Sequence, residues 1–249
     1  MKKLVLMLIA GLLIYASPYG RTDPTPNPAA NDQQTGAQKA EERGDLARVR
    51  NNYSLAAAYY QAALRVSRQD ASLYNKLGIV ELQQGQRGQA RKNFTLALKY
   101  DPKLIAAMNN LGAVALMDKK YKAAITYFKQ ALAMDETVAA THLNLAEAWM
   151  GLGETDRAMT EYGRALELDA DILSSTQEGI IAQVATPEQR ARIAFLIAKS
   201  YMKRGNIEGA LDSLRKAKEL RYPDLAKVYS DPVFTALWED PRLAKIVKR

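Results

Sequence analysis

At 249 residues the chain is long enough for one or two domains, and its 48% hydrophobic and 25% charged residues are an ordinary globular composition with a formal net charge of +8. It has no Cys and one His, His142. Disulfides, thiolate nucleophiles, thiolate metal sites and lipidation of an N-terminal Cys are therefore excluded, and any catalytic triad or His-based metal centre would rest on that one imidazole.

The first predicted element is "MKKLVLMLIAGLLIYAS", two Lys followed by an apolar run over 4–16. A basic start and a thirteen-residue apolar stretch predict a signal peptide over 1–17, with Ile14 and Ala16 the most acceptable pair before a cut at Ser17. The run is short for a membrane span, so an uncleaved inner-membrane anchor is the alternative. In either case the bulk of the chain is expected outside the cytoplasm, in the periplasm or secreted. Residues 18–36 carry Pro24, Pro26 and Pro28 among small polar residues and are expected to be a disordered linker.

From residue 37 the chain repeats itself. "LALKYDP" at 96–102 returns as "QALAMDE" from Gln130 and "RALELDA" from Arg164, each 34 residues on, and is foreshadowed by "AALRVSR" from Ala62. "KAKELRY" from Lys216 comes 52 residues after Arg164, which is the period plus eighteen. With Ala71 as position 1, positions 4, 7, 8, 20, 24 and 27 read Tyr74, Leu77, Gly78, Ala90, Phe94 and Ala97. The next window, 105–138, gives Met108, Leu111, Gly112, Ala124, Phe128 and Ala131. The window 139–172 gives His142, Leu145, Ala146, Ala158, Tyr162 and Ala165. Positions 4, 7, 8 and 11 share one helical face and 20, 24 and 27 another, so each window predicts two helices packed through small residues and one aromatic ring. Turn signals stand between them at "QQGQRG" (83–88), "MDKKY" (117–121) and "GLGET" (151–155).

This pattern resembles the tetratricopeptide repeat, W-x2-L-G-x2-Y…A-x3-F…P. The departures are the first aromatic, which is Tyr, Met and His here, and the closing Pro, kept only as Pro102. The resemblance implies an all-α, right-handed α-solenoid of helix-turn-helix units at 71–104, 105–138, 139–172 and 191–224. An atypical first unit precedes them at 37–70. Its second helix fits, with Ala56, Tyr60 and Ala63, whereas its first fits poorly, with Arg43 and Gly44 at positions 7 and 8, and is expected to be partly solvent-facing. The inserted connector, 173–190, ends in "TPEQ", a helix start with Thr186 as N-cap, Pro187 at the first position and Gln189 closing a capping box. Residues 225–249 hold two more Asp-Pro helix starts, Asp231-Pro232 and Asp240-Pro241, and are expected to cap the last repeat, with Trp238 in the packing.

No phosphate loop, G-x-S-x-G, HExxH or calcium loop is present in the sequence, and His142 falls on a packed helix position. No catalytic residue, cofactor or metal is expected, and the chain is read as a non-enzyme. The resemblance implies a protein or peptide partner held in a concave groove lined by first helices. Here that groove would comprise Asn75, Ile79 and Leu82; Asn109, Asn110, Leu116 and Met117; and Leu143, Asn144, Glu147 and Met150. The family's clamp for a C-terminal carboxylate is not expected, because Asn75, Ile79, Asn110, Ala140 and Asn144 stand at its five positions and only Asn110 matches. The leading function is a scaffold or adaptor of the bacterial cell envelope.

Charge supplies an alternative. Residues 87–129 carry nine Lys and Arg against two Asp, and 135–178 carry ten acids against two Arg, giving +7 and −8. Arg87, Arg91, Lys92, Lys99, Lys119, Lys120 and Lys122 form a candidate basic patch on second helices and turns. Such a patch is either a solvated surface or a steering surface for an anionic envelope component, as in a structural assembly factor for pilus, secretion or cell-wall machinery. Nucleic acid is not expected, since no base-stacking aromatics accompany the Lys and the chain is read as exported. A membrane is expected only through an uncleaved anchor.

Overall fold

A computed structural model of the chain describes residues 28–169, Ile172 and 186–248. The expected signal peptide, the linker up to residue 27 and residues 173–185 of the connector lie outside the described residues. Every regular element among the described residues is helical. The chain divides between Asp135 and Glu136 into two compact units, which among the described residues are 28–135 and 136–248.

The N-terminal unit is three helical hairpins: α1 (Pro28–Val49) with α2 (Tyr53–Val66), α3 (Ala71–Gln83) with α4 (Arg87–Tyr100), and α5 (Ile105–Met117) with α6 (Tyr121–Met134). α1 begins nine residues ahead of the expected boundary at 37, inside the segment read as linker. Pro28 suits a first helical position because the N–H it lacks would have no partner there, and the Ala and Gln that follow are good helix formers. Asn52 and Asp70 cap α2 and α3, each accepting from the backbone N–H three residues on (3.2 and 3.1 Å). Caps of this kind satisfy donors that the helix itself leaves open.

Each hairpin closes on one ring. Tyr60, Phe94 and Phe128 are fully buried, flanked by fully buried Ala on the same helix. Opposite each ring stands a glycine: a Cβ on Gly44, Gly78 or Gly112 would come within 3.0 Å of Tyr60, Phe94 or Phe128. Gly44 therefore corrects the reading of α1 as a poor match. It is the same close-contact residue as Gly78 and Gly112, one period earlier, and burying each ring contributes roughly 2–3 kcal/mol. The solvent-facing part of that reading stands on other residues, with Leu46 50% and Val49 71% exposed.

The C-terminal unit holds α7 (Ala139–Gly151) with α8 (Thr155–Leu168), then α9 (Pro187–Lys203) with α10 (Ile207–Glu219). Two short 3-10 segments, Leu225–Tyr229 and Pro232–Leu237, and α11 (Pro241–Ile246) follow. The α9 start is a complete capping box: Gln189 N–H donates to Thr186 Oγ1 (3.2 Å) and Thr186 N–H to Gln189 Oε1 (2.8 Å). Asp231 and Asp240 likewise cap their segments. The tail packs onto the last hairpin in one core: Ala194, Phe195, Leu211 and Leu214 meet Leu225, Val228, Phe234, Leu237, Leu243 and Ile246. Trp238 flanks that core and donates its indole N–H to the Val228 carbonyl (2.9 Å), which makes it a packing residue.

Candidate functional site

Ten of the eleven candidate groove residues are buried, and Met117 is partly exposed. They are apolar, amide and carboxyl side chains on first helices. Each unit carries its own part of this line.

In the N-terminal unit the line runs along α3 and α5. Asn110, 2% exposed, donates its side-chain amide to Asn75 Oδ1 (2.8 Å), joining the two first helices. Asn110 spends a donor inside the fold, so it is a rung between repeats before it is a hand for a peptide. Ile79 and Leu82 on α3 and Leu116 on α5 are the apolar flanks. Lys76, next to Asn75 on α3, is held by α1: its ammonium donates to Asp45 (2.6 Å) and Glu41 (2.8 Å). Burial acts to lower the Lys76 ammonium, but the bonds to Asp45 and Glu41 outweigh it and the net shift is upward. Asp45 also accepts from the Tyr60 hydroxyl (2.7 Å), and burial first, then this bond, raises the phenol. Apart from the near-period spacing of Glu41 and Lys76, nothing in the sequence points to this network. A buried acid on the same helix as Lys76, Glu81, accepts from Asn93 (2.7 Å), while burial raises its carboxyl.

In the C-terminal unit α7 carries Leu143, Asn144, Glu147 and Met150, all buried. Glu147 is 9% exposed, and desolvation pushes its carboxyl up to about 8. Among the described residues no Lys, Arg or His forms an ion pair with it. Tyr162 lies near on α8, and its phenol is raised by burial and then by the Glu147 charge. His142 is structural, as its helix position suggested. Its Nδ1 lies 2.7 Å from Glu161 Oε2 and its Nε2 3.0 Å from the Glu136 carbonyl oxygen. Both ring nitrogens thus face acceptor oxygens. Arg157 lies over the Trp149 ring, 4.8 Å from its centroid. Among the described residues no cluster of acids and imidazole could hold a metal ion, and no helix is long and apolar enough to cross a membrane.

The basic patch resolves into two places. Arg87 and Arg91, at the start of α4, both pair with Asp118 in the α5–α6 turn. Lys92, Lys119, Lys120 and Lys122 are all exposed, and Asp118, next in the chain to Lys119, ties that turn to the start of α4. Lys99 stands apart, about 18 Å from Arg87 along α4 at a rise of about 1.5 Å per residue. There it lies 5.7 Å from the centre of Tyr100, whose ring stacks on Tyr74.

Known proteins share both the helical hairpins and their spacing. Sequence profiles described as tetratricopeptide repeat match residues 41–86, 69–137, 115–175 and 191–223. The chain belongs to the tetratricopeptide repeat family. Its fold is therefore an all-α solenoid, a protein–protein interaction scaffold whose members bind protein or peptide partners. Solved tetratricopeptide structures share that fold. MamA (residues 41 to the end) from Desulfovibrio magneticus RS-1 is 20% identical, with 74% of this chain and 94% of that one covered and a TM-score of 0.53. YrrB, described as a tetratricopeptide protein with an unusual peptide-binding site, is 20% identical over 81% and 95%, with a TM-score of 0.52. A thermophilic member from Thermus thermophilus is 21% identical over 78% and 97%, also with a TM-score of 0.52. No curated protein sequence matches this chain.

Proposed function

We propose that this protein is a non-enzymatic scaffold or adaptor of the bacterial cell envelope that holds a segment of a partner protein along its first helices. The observation that carries this reading is the chemistry of α5 and α7. Buried Asn109, Asn110 and Asn144 share those helices with buried Leu116, Leu143 and Met150, so amides, a side-chain type that can bond both N–H and C=O of a backbone once its internal bonds are exchanged, sit among adaptable apolar side chains. The peptide-binding site reported for YrrB adds support by analogy of fold. The N-terminal "MKKLVLMLIAGLLIYAS" supports an envelope location.

A second reading has its own observation, the edge formed by Arg87, Arg91, Lys92, Lys119, Lys120 and Lys122, which suits an assembly factor drawn to an anionic envelope component. A crosslinked pull-down from envelope fractions separates the two. If the line binds the partner, Met117→Asp reduces recovery and raised salt does not. If the basic edge binds it, Lys119→Glu with Lys122→Glu reduces recovery and raised salt does so steeply. Recovery that ignores both treatments overturns both readings.

A further inference from the structure

On α3 the residues that meet the preceding hairpin are Leu73, Leu77 and Val80, which share one core with Ala56, Tyr60 and Ala63 of α2. α5 repeats the arrangement with Ala107, Leu111 and Val114, all buried. The same three positions 34 residues ahead of α3 are Lys39, Arg43 and Leu46 on α1. All three are exposed, Leu46 by 50%, and Val49, one turn past Leu46, is 71% exposed. At 3.6 residues per turn, Lys39, Arg43 and Val49 lie within roughly 60° of Leu46 around the helix, so they form one stripe.

In α3 this stripe is covered by a helix, so in α1 it has the shape of a seat for a helix. Its chemistry differs from that of the inner repeats. Where α3 and α5 present three apolar side chains, α1 presents two cations one turn apart and then a leucine. The acids on the adjoining face of α1, Glu41 and Asp45, are engaged with Lys76. The stripe itself carries one acid, Glu42, and a further cation, Arg50, both exposed. An apolar helix laid here as α2 lies on α3 would bury Lys39 and Arg43 without counter-charges, which is costly. A helix with acids opposite them would not.

We propose that this stripe of α1 is the docking seat for an amphipathic helix of a partner protein, with two Asp or Glu one turn apart facing Lys39 and Arg43 and an apolar side chain against Leu46 and Val49. The apolar contact holds the helix and the cations select it, since a basic helix of the same shape is repelled. Two occupants from the chain itself lack this chemistry. Residues 1–27 contain a single acid, Asp23. In a second copy, α1 would bring its own cations, and the acids one turn apart on α10, Glu208 and Asp212, already pair with Arg242 and Arg215. A flat lipid surface has no counterpart to the helix that covers the same positions in α3. The stripe is separate from the line along α3, α5 and α7 and from the basic edge of α4 and α6, so failure here leaves both of those readings intact.

The test uses the full chain and two labelled Ala-rich helical peptides with Leu along one face, one carrying a pair of Glu one turn apart and the other Lys at the same places. At low ionic strength the Glu peptide is expected to bind about tenfold more tightly or better, and the gap should narrow as salt rises, because charge pairs at an exposed face are screened. Lys39→Glu with Arg43→Glu should reverse the preference. Leu46→Asp should weaken the Glu peptide by about tenfold or more, since it sets an acid where an apolar contact is needed. All three side chains are exposed, and circular dichroism confirms that the variants are folded. Failure of both peptides to bind, equal binding, or a preference that survives the charge reversal overturns the proposal. Binding to phosphatidylglycerol vesicles that Leu46→Asp abolishes assigns the stripe to a lipid surface and overturns it too, as does a dimer in sedimentation that the same substitution dissociates.

Discussion

Lys119 shows how much one residue can depart from its repeat and still be held by it. Asn51, Gly85, Lys119 and Gly153 recur every 34 residues in the hairpin turns, and all four adopt positive φ, Lys119 at 58°. A lysine there costs roughly 1–2 kcal/mol that a glycine does not, partly offset by the greater freedom of glycine in the unfolded chain. Lys119→Gly is therefore expected to stabilise the chain by up to about 1 kcal/mol, read as a higher midpoint in urea, and an unchanged or lower midpoint would refute the strain. Glu147 gives a second expectation at this scale. Its carboxyl is raised from 4.5 to about 8 by burial, with Tyr162 facing it from α8. The folded state thus keeps a proton that the unfolded state loses. The stability tied to that proton is whole below pH 4.5 and is lost as pH climbs towards 8, at about 1.4 kcal/mol per unit at most. Glu147→Gln should accordingly gain on the wild type between those two values. A stability difference that does not move with pH would contradict the burial. The glycine-ring contacts are legible in the sequence at Gly78 and Gly112 but obscured at Gly44, where Arg43 beside it breaks the apolar pattern. The burial of Glu147 is not legible, because a lone acid on a helix reads the same in water as in a core.

The helices themselves are legible because a 34-residue period specifies both a face and a length. Within the described residues the hairpins from 71 to 168 fall where the spacing puts them. How far a helix runs past its contacts is a different matter. α1 reaches back to Pro28 because good helix formers continue after its packed residues end, whereas composition alone reads that stretch as loose. The capping box of α9 is legible, being a local arrangement of four residues. Thr186→Ala is expected to cost about 1 kcal/mol by freeing the donors at that helix start. Thermal unfolding followed by far-ultraviolet circular dichroism checks it, and a loss well below about 0.5 kcal/mol would show the start of α9 to be held by packing instead.

For the whole chain, family membership establishes a solenoid that binds proteins, and the remaining question is which surface does so. The period yields the repeat, but not the residues that depart from it, such as Glu147 and the lysines near Asp118. Site-specific photocrosslinking in intact cells decides between surfaces. A photoreactive residue placed at Met117 or Met150 reports on the first-helix line, and one at Lys122 or Lys99 reports on second helices. If the first helices hold the partner, Met117 and Met150 capture the same protein, and neither Lys122 nor Lys99 captures it. A partner captured from Lys122 and not from Met117 or Met150 would contradict that assignment.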